Sequence, residues 1–160
     1  MAETLGSLYD KLSITKARFD AIAKRMQGQN SKEDLEKLVV ISANVRQQRQ
    51  ELYREIQEFE AQALGGNKPI KLEEPKYKIY QGESSSGVGF DDLEDAIFHL
   101  ERMNRTLWDL EDARRDKTKN DKEVRDICDE VAKFNRLRND TVDEINRLFN
   151  EQVKFRKNQQ

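Results

Sequence analysis

Apolar side chains recur every three or four residues along two stretches of this chain, and each stretch carries an arginine inside its apolar stripe. The first runs Leu35, Leu38, Ser42, Val45, Arg49, Leu52, Ile56 and Phe59. The second runs Val124, Ile127, Val131, Phe134, Arg138, Thr141, Ile145 and Leu148. Such spacing puts each set on one face of an α-helix. The second set follows the first by a constant 89 positions (Arg49 to Arg138), without a gap. In both, a guanidinium stands where close packing would favour a leucine.

Two shorter stripes complete the pattern. Leu5, Leu8, Leu12, Phe19, Ile22 and Met26 predict a helix over 4–26. Leu93, Ile97, Leu100, Asn104, Leu107 and Glu111 predict another over 91–115. The long stripes predict helices over 31–64 and 120–155. Each start shows a side-chain oxygen followed three residues later by an acid: Ser7 and Asp10, Ser31 and Asp34, Asp91 and Glu94, Asn120 and Glu123. Such a pair satisfies orphan amides of the first turn and sets negative charge at the positive helix end. Gly65 and Gly66, with Pro69 beyond, end the second helix.

Short turns near 27–30 and 117–119 force antiparallel neighbours. The chain therefore reads as all-α, an antiparallel four-helix bundle of two related helical hairpins, 4–64 and 91–156, joined by a long loop, 65–90. The relation extends to the shorter helices, where Tyr9 matches Phe98, Phe19 matches Trp108, Asp20 matches Asp109 and Arg25 matches Arg114. In the loop, Lys76 to Tyr80 alternates like a short edge strand, and Glu83 to Gly89 is rich in Ser and Gly. Its length, extended, spans about 80 Å, enough to return along a helix of about 50 Å, so either hairpin order is open.

Composition narrows the classes. A chain of 160 residues is one domain with room for a real core. The 38% of charged residues, seven glycines and two prolines suit long solvated helices rather than a β-rich fold. A net charge of -2 gives no general pull toward nucleic acid or an anionic membrane. No apolar run approaches the ~18 residues of a membrane span, and the first residues lack the pattern of a secretory signal, so a cytoplasmic location is expected. Cys128 is the only cysteine, which excludes an intrachain disulfide, and its place beside Ile127 predicts a buried thiol. His99, the only histidine, lacks a Glu three residues before it and is expected to be solvated. Glu55 with Glu58 and Glu123 with Asp126 match short magnesium-holding patterns, but such patterns arise readily in a chain this charged. No metal and no cofactor are expected.

The chemistry worth following is a polar centre. Asn104, Trp108, Glu111 and Asp112 share one face of the third helix; Asn135 and Arg138 face inward from the fourth; Arg49 comes from the second. Asp10 and Lys11, on the first turn of the first helix, are candidates to join them, and the sequence leaves their reach open. The expected arrangement is two arginines facing the Glu111 and Asp112 pair. One reading is architectural, since a sequestered Arg–acid pair sets helix register without adding much net stability. The other is that Arg49, Arg138 and Lys11 hold an anion, because guanidinium forks match phosphate and carboxylate.

Several runs resemble a family of small helical proteins of unknown function from bacteria and their phages. They are Leu5-Gly6 with Asp10-Lys11, Asn104 with Leu107-Trp108 and Glu111-Asp112, and Asn135 with Arg138-Asn139. The resemblance implies that Asp10, Lys11, Asn104, Trp108, Glu111, Asp112, Asn135 and Arg138 are the family's marked positions. Genes of such proteins often lie near glycosyltransferases, and the resemblance implies no reaction.

Together these observations lead to a small accessory or interaction protein, more in keeping with a binding role than with an enzyme. Its expected partner is a protein or a second copy of the chain. The alternative is a bundle that binds or acts on a phosphorylated or nucleotide-linked sugar through its clustered Arg and Lys.

Overall fold

In a computed structural model, residues 3–65 and 89–159 are described. They form four helices: α1 (Leu5–Met26), α2 (Lys32–Gly65), α3 (Leu93–Arg114) and α4 (Asp121–Lys157). The fold is an all-α helical bundle, and the helix bounds fall within a few residues of those the stripes predict. The edge strand expected at Lys76 to Tyr80 and the Ser/Gly-rich stretch lie outside the described residues, apart from Gly89.

Two of the four predicted helix starts move. At α1 the cap is Thr4, whose hydroxyl accepts from Ser7 N while Thr4 N donates to Ser7 Oγ at 3.0 Å. Ser7 thus closes the box from inside the helix instead of opening it. At α3 the cap is Asp92, not Asp91, and accepts from Asp95 N at 2.8 Å. Asn120 and Glu123 form the reciprocal box expected at α4. Ser31 Oγ accepts from Asp34 N at 3.1 Å and donates to the Asp34 carboxylate. Thr and Asp cap as well as the residues expected, and Thr4 and Asp92 stand three positions before Ser7 and one after Asp91, which is why the spacing alone misplaced two caps.

Helix contacts define the layout. α1 packs against all three other helices, and α3 against α1 and α4. α2 packs along α1 and meets α4 only briefly, while the α2 and α3 backbones lie apart. Ion pairs Lys16–Glu101 and Asp20–Arg105 advance together, so α1 and α3 run parallel. The Phe59 and Phe149 rings, 6.1 Å apart, join the C-terminal parts of α2 and α4.

The dry core lies at one end. Leu5, Leu8 and Leu12 meet Ile56, Ala63, Phe149 and Val153, and a second cluster joins Phe90, Ala96 and Leu100 to Val142 and Ile145. Fully burying a leucine or isoleucine stabilises by about 1.5–3 kcal/mol each. Gly6 makes the α1–α4 approach possible: its N–H donates to Asn146 Oδ1 at 2.8 Å, and a Cβ there would sit 2.4 Å from the Val142 carbonyl oxygen. Toward the two hairpin turns the covering thins. Phe19, Ile22, Met26, Val124, Ile127 and Val131 are only half-buried, and Val39 and Val40 are exposed. Two expectations change as a result. Cys128 is exposed, on the first half of α4 where even the stripe residues Val124, Ile127 and Val131 are only half-buried. His99 is half-buried, its ring 5.1 Å from that of Phe90, with Nδ1 buried and without a hydrogen-bond partner.

Candidate functional site

The site begins with Asn104, the polar break in the α3 stripe, which is buried. An amide on an apolar face must find partners. Its Nδ2 donates to Asp10 Oδ1 at 2.8 Å and to Ser13 Oγ at 2.6 Å, both on α1. Ser13 Oγ in turn donates to the Asp10 carbonyl at 2.9 Å. The Asp10 carboxylate is thereby fixed toward α4, where Arg138 Nε lies 3.6 Å from Oδ1. That distance suits an ion pair but is too long for a hydrogen bond. Arg138 Nε is buried and makes no hydrogen bond.

Beside this pair α1, α3 and α4 leave a groove of about 270 Å³. Its walls are Ile14 from α1, Asn104, Leu107, Trp108, Glu111 and Asp112 from α3, Arg115 just beyond α3, and Asn135 and Arg138 from α4. Six of the nine residues expected in the polar centre therefore share one groove, and Asp10 braces it from behind. Trp108, the single tryptophan, forms part of the wall.

The remaining expectations need correction. Glu111 and Asp112 do not face two arginines from other helices. Glu111 pairs with Arg114 at 2.7 Å and lies 3.8 Å from Arg115, while Asp112 lies 3.5 Å from Arg115. Cations three or four residues along the same helix reach an acid at little entropic cost, and they outcompete distant ones. Lys11 points away and pairs with Glu3. Arg49 lies elsewhere, in a groove that does not include Glu111.

Arg49 occupies a second groove of about 240 Å³, lined with Lys16, Asp20, Glu101 and Arg105. Its guanidinium carbon sits 5.1 Å from the Phe19 ring centroid. Here the cations find carboxylates across the α1–α3 seam, Lys16 on Glu101 and Arg105 on Asp20. Burial alone would lower the Lys16 ammonium, but the hydrogen bond and charge of Glu101, with Tyr53 adding, leave it raised. On the same helix, burial pushes the Tyr9 phenol up, and its bond to Glu60 at 3.2 Å adds to the effect.

Sequence reasoning missed Ser13, Ile14, Arg115 and Asn146. Ser13 carried a signal, being a small polar residue one turn after Asp10 and next to Leu12 on the inward side. Gly6 in the opening turn of a helix signalled a close approach, and Asn146 is the group it approaches. Arg115 carried none, as an arginine among acids on a charged helix end is ordinary. Among the described residues, no group of His, Cys, Asp and Glu is placed to hold a metal ion, and no helix is long and apolar enough to cross a membrane.

Comparison with protein families, with curated sequences and with solved structures gives no match.

Proposed function

We propose that this is a small accessory protein that works by binding, and that it takes an anionic group of its partner into the Arg138 groove. The observation that carries this reading is a guanidinium whose Nε is buried without a hydrogen-bond partner, at the wall of an open groove. An arginine placed only to set helix register would end on a bidentate carboxylate. Arg138 instead has Asp10 at ion-pair distance on its Nε side, too far for a hydrogen bond, and lines the groove a guest would enter. Asn135 supplies a neutral amide on the same wall.

The resemblance to small helical proteins of bacteria and phages accords with an accessory role. The reading in which a phosphorylated or nucleotide-linked sugar is held by clustered cations loses its footing, since Lys11, Arg49 and Arg138 stand in three different surroundings. The test is a titration followed by nuclear magnetic resonance of the arginine Nε–Hε signals. Millimolar acetate or inorganic phosphate should shift the Arg138 signal, in a saturable way that Arg138→Met abolishes. An Arg138 signal indifferent to both anions would end the proposal.

A further inference from the structure

We infer that the guest of the Arg138 groove is a single carboxylate carried on a compact apolar body, an inference that rests on the anion-binding reading above. Charge argues first. Arg138 and Arg115 are the cations of the groove and its rear, against the carboxylates of Asp10, Glu111 and Asp112. Arg114 offsets Glu111 from outside. A doubly charged phosphate would enter a surrounding that already holds three carboxylates, whereas one negative charge meets the groove's guanidinium whose Nε has no hydrogen-bond partner. Two carboxylate oxygens also match the parallel N–H pair of a guanidinium, with the Asn135 amide beside it.

The other walls describe the rest of the guest. Ile14, Leu107 and the Trp108 indole are apolar, so a purely polar ion would leave them wet. An aromatic or branched aliphatic body would cover them and lie against the indole face. The volume, about 270 Å³, falls just under the ~300–1,000 Å³ of pockets for drug-sized ligands. Inside the groove this admits one ring or branched chain with its carboxylate. The same chemistry belongs to a free arylalkanoic acid and to the chain end of a peptide whose last residue is apolar.

The lone tryptophan makes the test direct, because no other indole contributes to the emission. The folded protein is titrated with 3-phenylpropionate, with N-acetylphenylalanine as the chain-end form, with 3-phenylpropionamide and with inorganic phosphate. Both carboxylates should shift or quench Trp108 emission in a saturable way. The amide, alike in shape but uncharged, should bind at least tenfold more weakly, and phosphate should leave the emission unchanged. Arg138→Met should weaken the carboxylates by at least tenfold, while Arg49→Met should leave them within twofold. Whichever carboxylate binds more tightly by tenfold identifies the source as free acid or peptide end. If phosphate moves both the Arg138 resonance and Trp108 emission while the carboxylates do neither, the anion-binding function stands and this assignment of the guest falls. Equal binding of acid and amide would also overturn it. Silence of the resonance toward every anion would remove both.

Discussion

Arg138 and Arg49 stand at matching positions of two similar helices, yet their surroundings share little. Arg138 faces a carboxylate that is itself anchored by a buried amide, Asp10 on Asn104, and opens onto a groove walled by Trp108. Arg49 lies over the Phe19 ring beside two ion pairs that are already complete. Both arginines keep company with the aromatic residue of their own hairpin, Trp108 or Phe19. What differs is the state of the nearby acids. α1 brings an acid without a cation of its own, Asp10, to Arg138, whereas the acids that α1 and α3 bring beside Arg49, Asp20 and Glu101, are already paired with Arg105 and Lys16. An arginine in an apolar stripe therefore signals a place where packing stops, and the neighbouring helix decides what replaces the packing.

The largest expected effect tests the seam that creates the difference. Gly6→Ala puts a methyl group against the Val142 carbonyl and Asn146, forcing α1 and α4 apart. Overpacking of this kind should cost about 3 kcal/mol, lowering Tm by roughly 6–12 °C in a chain of this size. It should also loosen Arg138 from Asp10 while leaving Arg49 on Phe19, since both of those belong to the first hairpin. A Gly6→Ala protein with parental Tm would show that the helices do not meet so closely.

A smaller contrast separates the arginines themselves. Arg138→Met strands the Asp10 carboxylate, which is mostly shielded, and should cost about 1–2 kcal/mol. Asp10→Asn in the same chain should recover at least half of that, because an amide oxygen still accepts from Asn104 and carries no charge. Replacing Glu111 should recover nothing, as its partners are Arg114 and Arg115. Arg49→Met should cost no more than about 0.5 kcal/mol, the scale of an exposed cation–π contact partly replaced by sulfur on the ring. Urea unfolding of the four variants decides it, and an Arg49→Met that costs more than Arg138→Met reverses the comparison.

The helices were legible because each carries its own stripe, but only two of the four starts were, since the caps of α1 and α3 are Thr4 and Asp92. Gly65 closes α2 as expected, and Asn120 opens α4 with Glu123. The membership of the groove was legible for the same reason: Asn104, Trp108 and Asp112 are successive turns of one helix face, and Asn135 and Arg138 are one turn of another. Pairing was not legible. Which acid meets which arginine depends on which helices are adjacent and on their rotation, and a long connection between hairpins leaves several arrangements open. Glu111 illustrates this, since its local arginines were closer than any the stripes could bring. Ser13 illustrates it again, gaining a role only when α3 delivers Asn104 against it.

The smallest effect concerns alkaline pH and belongs to the Arg49 side. The Lys16 ammonium and the Tyr9 phenol both hold their protons more tightly in the folded chain. Groups raised in this way stabilise fully below their ordinary values, 10.5 and 10.0, and that contribution drains away as pH climbs beyond them. Denaturation midpoints should therefore fall between pH 9 and about 11.5, and Lys16→Gln with Tyr9→Phe should flatten the fall. A slope unchanged in the double variant would show that neither group contributes.

The bond from Gly6 to Asn146 joins residues 140 apart in sequence. A ribosome adding roughly 5–20 residues per second needs on the order of ten seconds to make that much chain. Until then the nascent first hairpin covers Leu5 and Leu8 only from the α2 side, with Ile56 and Ala63, and the side of α1 that takes Phe149 and Val153 stays open to water. α4, made after the other three helices, is the one that lets α1 settle.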